Sequence, residues 1–130
     1  MTRTRKIIYW IATIWLALGM LSSAVVQLLR MKEEVDSMDR LGYPVYLLTM
    51  LGVCKILGIA VLLLPKLPLL KEWAYAGFAF IMTGAVFSHI ASGDAFSEIF
   101  PAILLLILTI TSWYFRPPDR KIKAVDPLLA

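Results

Sequence analysis

Three ionisable side chains stand in or beside strongly apolar sequence, and each is costly there without a partner. Lys55 lies inside LGVCKILGIAVLLLP, Glu72 opens EWAYAGFAFIMTGAVFSHIA, and His89 sits near the far end of that second run. An ammonium within an apolar helix can bind an anionic or polar head group, or hydrogen-bond a quinone-like oxygen. Gly52 and Gly58 flank Lys55 at i−3 and i+3, and glycines there let another helix approach closely. Lys55 is therefore expected to face other helices, with Glu72 as its natural partner in a candidate interior polar site. A long lysine side chain reaching toward the start of the third apolar run would narrow the gap to Glu72. A carboxylate at Glu72 also suits the N-terminal end of a helix dipole, whatever its partner. His89 follows Glu72 by 17 residues, about 25 Å along a helix, so these two cannot share one compact site. His89, Asp94 and Gln27 instead form a candidate polar cluster at the outer mouth, where a histidine could move a proton.

The elements that must position these groups follow from composition. The chain has 130 residues, 60% of them hydrophobic and 17% charged, with a mean hydropathy of +0.79. A soluble domain of this size has too much surface for its volume to bury so much apolar side chain. Lipid removes that difficulty. Four runs are long enough to cross a hydrocarbon core of about 30 Å. They cover about 7–29, 45–64, 72–91 and 97–115, and a polar tail occupies 116–130. Ser22-Ser23-Ala24 resembles a signal-peptidase site only weakly, and the apolar run continues past it to Leu29, so the first span is read as retained. Residues 30–41 mix basic and acidic groups and suit a solvated connection with a short interfacial helix. Pro44 fits a helix first turn, Pro65 stops the second span, and Lys66 to Lys71 reads as a tight turn. Asp94 or Ser97 is expected to cap the fourth helix, and Pro101 to kink it or delay its start. ILLLILTIT in the fourth run reads as a lipid-facing wall. Small residues crowd the third run, with Gly77 and Gly84 expected as helix contacts.

The expected fold is thus an all-α integral membrane four-helix bundle forming one domain over 1–130. With the N-terminus cytoplasmic, nine basic residues fall inside and three outside, in keeping with the positive-inside rule and with both termini cytoplasmic. Tyr9, Trp10, Tyr43, Tyr46, Trp73, Tyr75, Trp113 and Tyr114 fall near the expected interfaces. The net charge of +4 flanks apolar runs and suits membrane orientation rather than nucleic acid. Cys54 is the only cysteine and His89 the only histidine. A single chain therefore holds neither a dithiol pair nor a bis-histidine haem, and no metal is expected. There is no phosphate loop, GxSxG, HExxH or metal-ligand cluster, so no catalytic motif is present. The first span also lacks the membrane carboxylate on which four-helix drug-efflux proteins rely.

The runs LGVCKILGIAVLLLP and LKEWAYAGFAFIMTGAVFSHIASGD resemble the DoxX-like family of small four-helix bacterial membrane proteins. The matching elements are Lys55 and Gly58, Glu72 and Trp73, Gly77, Gly84-Ala85, His89 and Gly93-Asp94. The resemblance implies a multi-pass protein of the bacterial inner membrane. The wider family takes its name from a subunit of a thiosulfate:quinone oxidoreductase, and some relatives are linked to thiol and oxidative-stress systems, so a quinone is the cofactor it suggests. Three readings stay open. One is an accessory or ligand-binding membrane subunit, with the bilayer, another subunit or a second copy as partner. The next is a membrane subunit of a quinone-linked sulfur or thiol oxidoreductase. The last is a small transporter.

Overall fold

The computed structural model describes residues 2–120. The tail beyond, including Lys121, Lys123 and Pro127, lies outside the described residues, as does any account of its mobility. The chain forms α1 (Arg3–Leu28), α2 (Lys32–Leu41), α3 (Tyr46–Leu63), α4 (Pro68–Ala91), α5 (Phe96–Tyr114) and a 3-10 turn, Pro118–Arg120. No strand occurs among the described residues. All but α2 are long and apolar enough to cross a membrane; even α3, with 18 residues, spans about 27 Å.

Local chemistry sets the helix ends. The Thr2 side chain accepts the Arg5 N–H and caps α1. Glu33 and Glu34 open α2 and Arg40 closes it, each charge complementing the helix dipole. Gly42 ends α2 at φ +82, a left-handed conformation that a side chain would strain. Lys66 and Leu67 reverse the chain with φ of 63° and 57°. Pro68 then starts α4, where its missing N–H removes no helical bond.

The spanning helices alternate in direction and pack in the ring order α1–α3–α4–α5, each touching two neighbours. Leu16, Met20, Ile59, Leu62, Phe78 and Met82 fill the centre. Toward the end of the bundle that carries the 3-10 turn, Thr13, Ser112 and Tyr75 form a buried rung, with O···O distances of 2.6 and 2.8 Å. Outward-facing side chains stay apolar; Phe80 is 76% and Phe87 73% exposed, a surface that lipid suits and water does not.

Several expectations are corrected. The third helix starts at Pro68, not 72, because Pro68 initiates it instead of prolonging the turn. Lys71 is thus a helical residue with no exposed surface. Its Nζ donates to the carbonyls of Val61 and Leu64 at the end of α3. Neither Asp94 nor Ser97 caps α5; Ala95 occupies that position without a side-chain bond. The helix runs from Phe96 through Pro101 without delay. Its face is no simple lipid wall, since Ala102, Leu108, Thr109 and Ser112 are buried. Tyr9 and Tyr75 are buried among the helices rather than exposed.

Glycine packing is also redistributed. A Cβ on Gly52 would lie 2.7 Å from the Leu28 side chain, and one on Gly58 would lie 2.6 Å from Phe78. Gly19, not singled out by the sequence, meets Leu105 in the same way at 2.7 Å. Gly77 and Gly84 are not contact points, because a Cβ at either would meet nothing within 4 Å.

Candidate functional site

Lys55 is 2% exposed. Its Nζ donates to Ser23 Oγ at 2.8 Å and to Gln27 Oε1 at 2.9 Å, both on the last turns of α1. Helical side chains lean toward their own N-terminus. The N-terminus of α3 is at the α2 end, so Lys55 rises toward α2. The same rule directs Glu72 on α4 the other way. The pairing expected between them is therefore not formed. Glu72 instead forms an ion pair with Arg116 at 2.8 Å and accepts the Trp113 indole N–H at 3.0 Å.

The lysine borders a cavity of about 880 Å³. Trp15, Leu51, Ile81, Leu104 and Leu105 give it apolar walls. Gly84 also lines it, so the missing side chain there leaves volume rather than making a helix contact. Gln27, Lys55 and His89 all reach this one space, and α2 borders it with Glu33, Glu34, Met38 and Arg40. An ammonium has three donors. Ser23 and Gln27 take two, which leaves one N–H for an acceptor brought into the cavity.

The mouth is held by charge. Arg40 on α2 meets Asp94 Oδ1 through Nε at 3.1 Å and Glu98 Oε2 through a terminal nitrogen at 3.1 Å. His89 Nδ1 donates to Asp94 Oδ2 at 2.5 Å. These hydrogen bonds, the histidine's first and then the arginine's, hold the Asp94 carboxyl below the usual carboxylate range. Tyr43 and Ser88 bond through their hydroxyls at 2.6 Å. Of the expected mouth cluster, His89 and Asp94 meet directly. Gln27 lines the same cavity as His89 but is bonded to Lys55.

Donor atoms of His89, Asp94 and Glu98 lie within 4.8 Å of one another, close enough to hold a metal ion. The Arg40 guanidinium already pairs with both carboxylates, however, and a cation would have to displace it. The arrangement works as a clamp between α2 and the α4–α5 turn.

The opposite end is closed. Lys71 donates to α3 carbonyls as described. Arg120 donates to Leu62 O at 2.8 Å and lies 4.9 Å from the Trp10 ring centroid. Cys54 is exposed on α3. The sequence reading missed Ser23, Arg40, Tyr43 and Ser88. Ser23 was within reach of a sequence argument, because Lys55 must lean toward the α3 N-terminus and hence toward the end of the first span. Arg40 carried no such signal, since a basic residue in a mixed-charge connection looks like any solvated one.

No curated protein and no solved structure matches the chain in the comparisons made. The model of the DoxX-like family matches residues 11–111, which takes in α2, α3, α4, most of α5 and about two thirds of α1. The matched segment contains Lys55, Glu72, His89 and Asp94, and with the four spanning helices it establishes that this chain is a multi-pass membrane protein belonging to the DoxX-like family.

Proposed function

We propose that this protein is a ligand-binding membrane subunit, and that its site is the cavity between Lys55 and the α2 clamp. The observation that carries this reading is a buried ammonium with one N–H unclaimed at the wall of a cavity of about 880 Å³. A packing lysine has no need of such a space. Burying a charge without an ion pair is expensive; Ser23 and Gln27 provide only dipoles, and the Glu34 carboxylate on the cavity wall acts on the ammonium without a salt bridge to it. A bound polar oxygen would complete the shell.

The apolar walls and single cationic donor suit an amphiphile with an acceptor oxygen, such as a lipid carbonyl or a quinone carbonyl. In this reading residues 1–130 act as one domain. Both termini face the cytoplasm of a bacterium, and the cavity opens toward the outer side of the inner membrane. The nine-to-three distribution of basic residues supports that orientation.

The test is gentle extraction from the native membrane, followed by identification of co-purifying lipids, quinones and proteins. The expected result is a stoichiometric amphiphile retained by the wild type and lost from Lys55→Met. A bound quinone whose redox turnover disappears in Lys55→Met would favour the oxidoreductase-subunit reading. Recovery of the protein with no ligand, under conditions that keep it folded, would sink both.

A further inference from the structure

A second polar side chain borders the same cavity. His89 lines it, and its Nδ1 is committed to Asp94 at 2.5 Å. A carboxylate accepts only, so Nδ1 carries the proton in that bond. Asp94 is itself anchored by Arg40 at 3.1 Å, which fixes the orientation of the ring. The other ring nitrogen, Nε2, has no hydrogen-bond partner among the described residues and is accessible rather than buried. In the neutral ring it presents a lone pair. We infer that His89 Nε2 is the hydrogen-bond acceptor for a ligand hydroxyl, so that the cavity selects an uncharged, hydroxyl-bearing amphiphile.

The inference rests on the binding role proposed for the cavity, and it adds what that role lacks, a rule for the ligand. Lys55 can only donate and Nε2 can only accept. A ligand satisfying both offers an acceptor oxygen to the one and a hydroxyl hydrogen to the other, which a single hydroxyl can do. Charged groups around the mouth narrow the class further. Glu33 and Glu34 of α2 and Glu98 of α5 stand at the opening, with Arg40 of α2 paired to Asp94 and Glu98, and Lys55 of α3 lies deeper. The excess of carboxylates repels an anion on its way in. A neutral hydroxyl meets no such barrier.

The chain has one histidine, which makes the test direct. With ¹⁵N-histidine-labelled protein in phosphatidylcholine nanodiscs, the two ring nitrogens report the tautomer at neutral pH. The expected spectrum is that of the Nδ1–H form with Nε2 unprotonated. An Nε2–H tautomer or a doubly protonated ring would overturn the inference without reference to any ligand.

Two probes then separate this inference from the binding role. 4-Nonylphenol offers a hydroxyl, and its methyl ether does not. The phenol is expected to move the Nε2 resonance and to bind about tenfold tighter than the ether, with the difference lost in His89→Leu and the binding of both lost in Lys55→Met. Equal binding of the two probes, both abolished by Lys55→Met, would leave the cavity as a site and remove His89 from it. If neither probe enters the wild type, both readings fall together.

Discussion

The two ends of the bundle use the same residue types to opposite effect. At the end carrying the 3-10 turn, Lys71, Arg116 and Arg120 are tied to the carbonyls of α3, to Glu72, and to the Trp10 ring. Charge there finishes helix termini, which otherwise leave orphan carbonyls. At the α2 end, Lys55 is as deeply buried as Lys71. It meets side-chain dipoles instead of a helix terminus, and a cavity lies beside it. A buried lysine is therefore not one kind of feature. One closes the fold, and the other stands at a space the fold leaves open.

The sharpest way to break this contrast is to remove each ammonium. Lys71→Met strands the Val61 carbonyl and leaves Leu64 O with only its 3.4 Å contact from Arg120, and should cost about 2 kcal/mol of stability. The loss would show as a lowered Tm in nanodiscs or mild detergent, with ligand affinity of the surviving folded protein unchanged. Lys55→Met should behave in reverse. Ser23 and Gln27 keep access to the cavity and can bond to water or to each other, and replacing a buried ion by an apolar group of similar shape is often neutral or stabilising. Ligand binding should fall about ten- to a hundredfold, as for a lost hydrogen bond to a charged group. Matching Tm losses in the two variants would erase the distinction between the ends.

Gly84 offers a gentler probe of the same boundary. A side chain there meets nothing within 4 Å and grows into the cavity. Gly84→Leu should hold or raise Tm, since helix propensity alone favours leucine by about 0.5–1 kcal/mol. Its ligand occupancy should drop as volume is filled. Gly58→Leu, placed against Phe78, should instead lower Tm. A Gly84→Leu protein that binds normally would show that this wall does not border the ligand.

The membrane-spanning helices were legible in the sequence because hydropathy and proline punctuation act locally, and their bounds shifted by only a few residues. The largest shifts were at the starts of α1 and α4, each four residues earlier than expected. Pro68 reads equally as part of a turn or as a helix opening, and only the seating of Lys71 against the end of α3 separates the two. Which charges meet was far less legible. The sequence reading sent the Lys55 side chain toward Glu72, whereas it leans toward the α3 N-terminus and shares the level of Gln27. That lean separates it from Glu72 and joins it to the region of His89. Gly77 and Gly84 show a similar limit. Small residues allow close packing, but only the rotation of α4 decides whether a neighbour is there.

The smallest effect concerns the clamp at the open end. The hydrogen bonds from His89 and Arg40 hold Asp94 below the usual carboxylate range. A carboxyl of that kind contributes stability that is complete above the unfolded value of about 3.9 and is lost as pH falls through the lower folded value. The link between α2 and the α4–α5 turn should thus persist through mildly acidic conditions and loosen only in stronger acid. Hydrogen exchange in α2, followed from pH 6 downward, should stay slow past pH 4 and then quicken, while exchange around Lys71 stays slow. In Asp94→Asn the ion pair to Arg40 is absent at every pH, so α2 should exchange faster already at pH 6. Exchange in α2 that quickens between pH 6 and 5 in the wild type would mean that another group holds the clamp. Arg40 also pairs with the more exposed Glu98, and the double variant Asp94→Asn/Glu98→Gln would then assign the remainder.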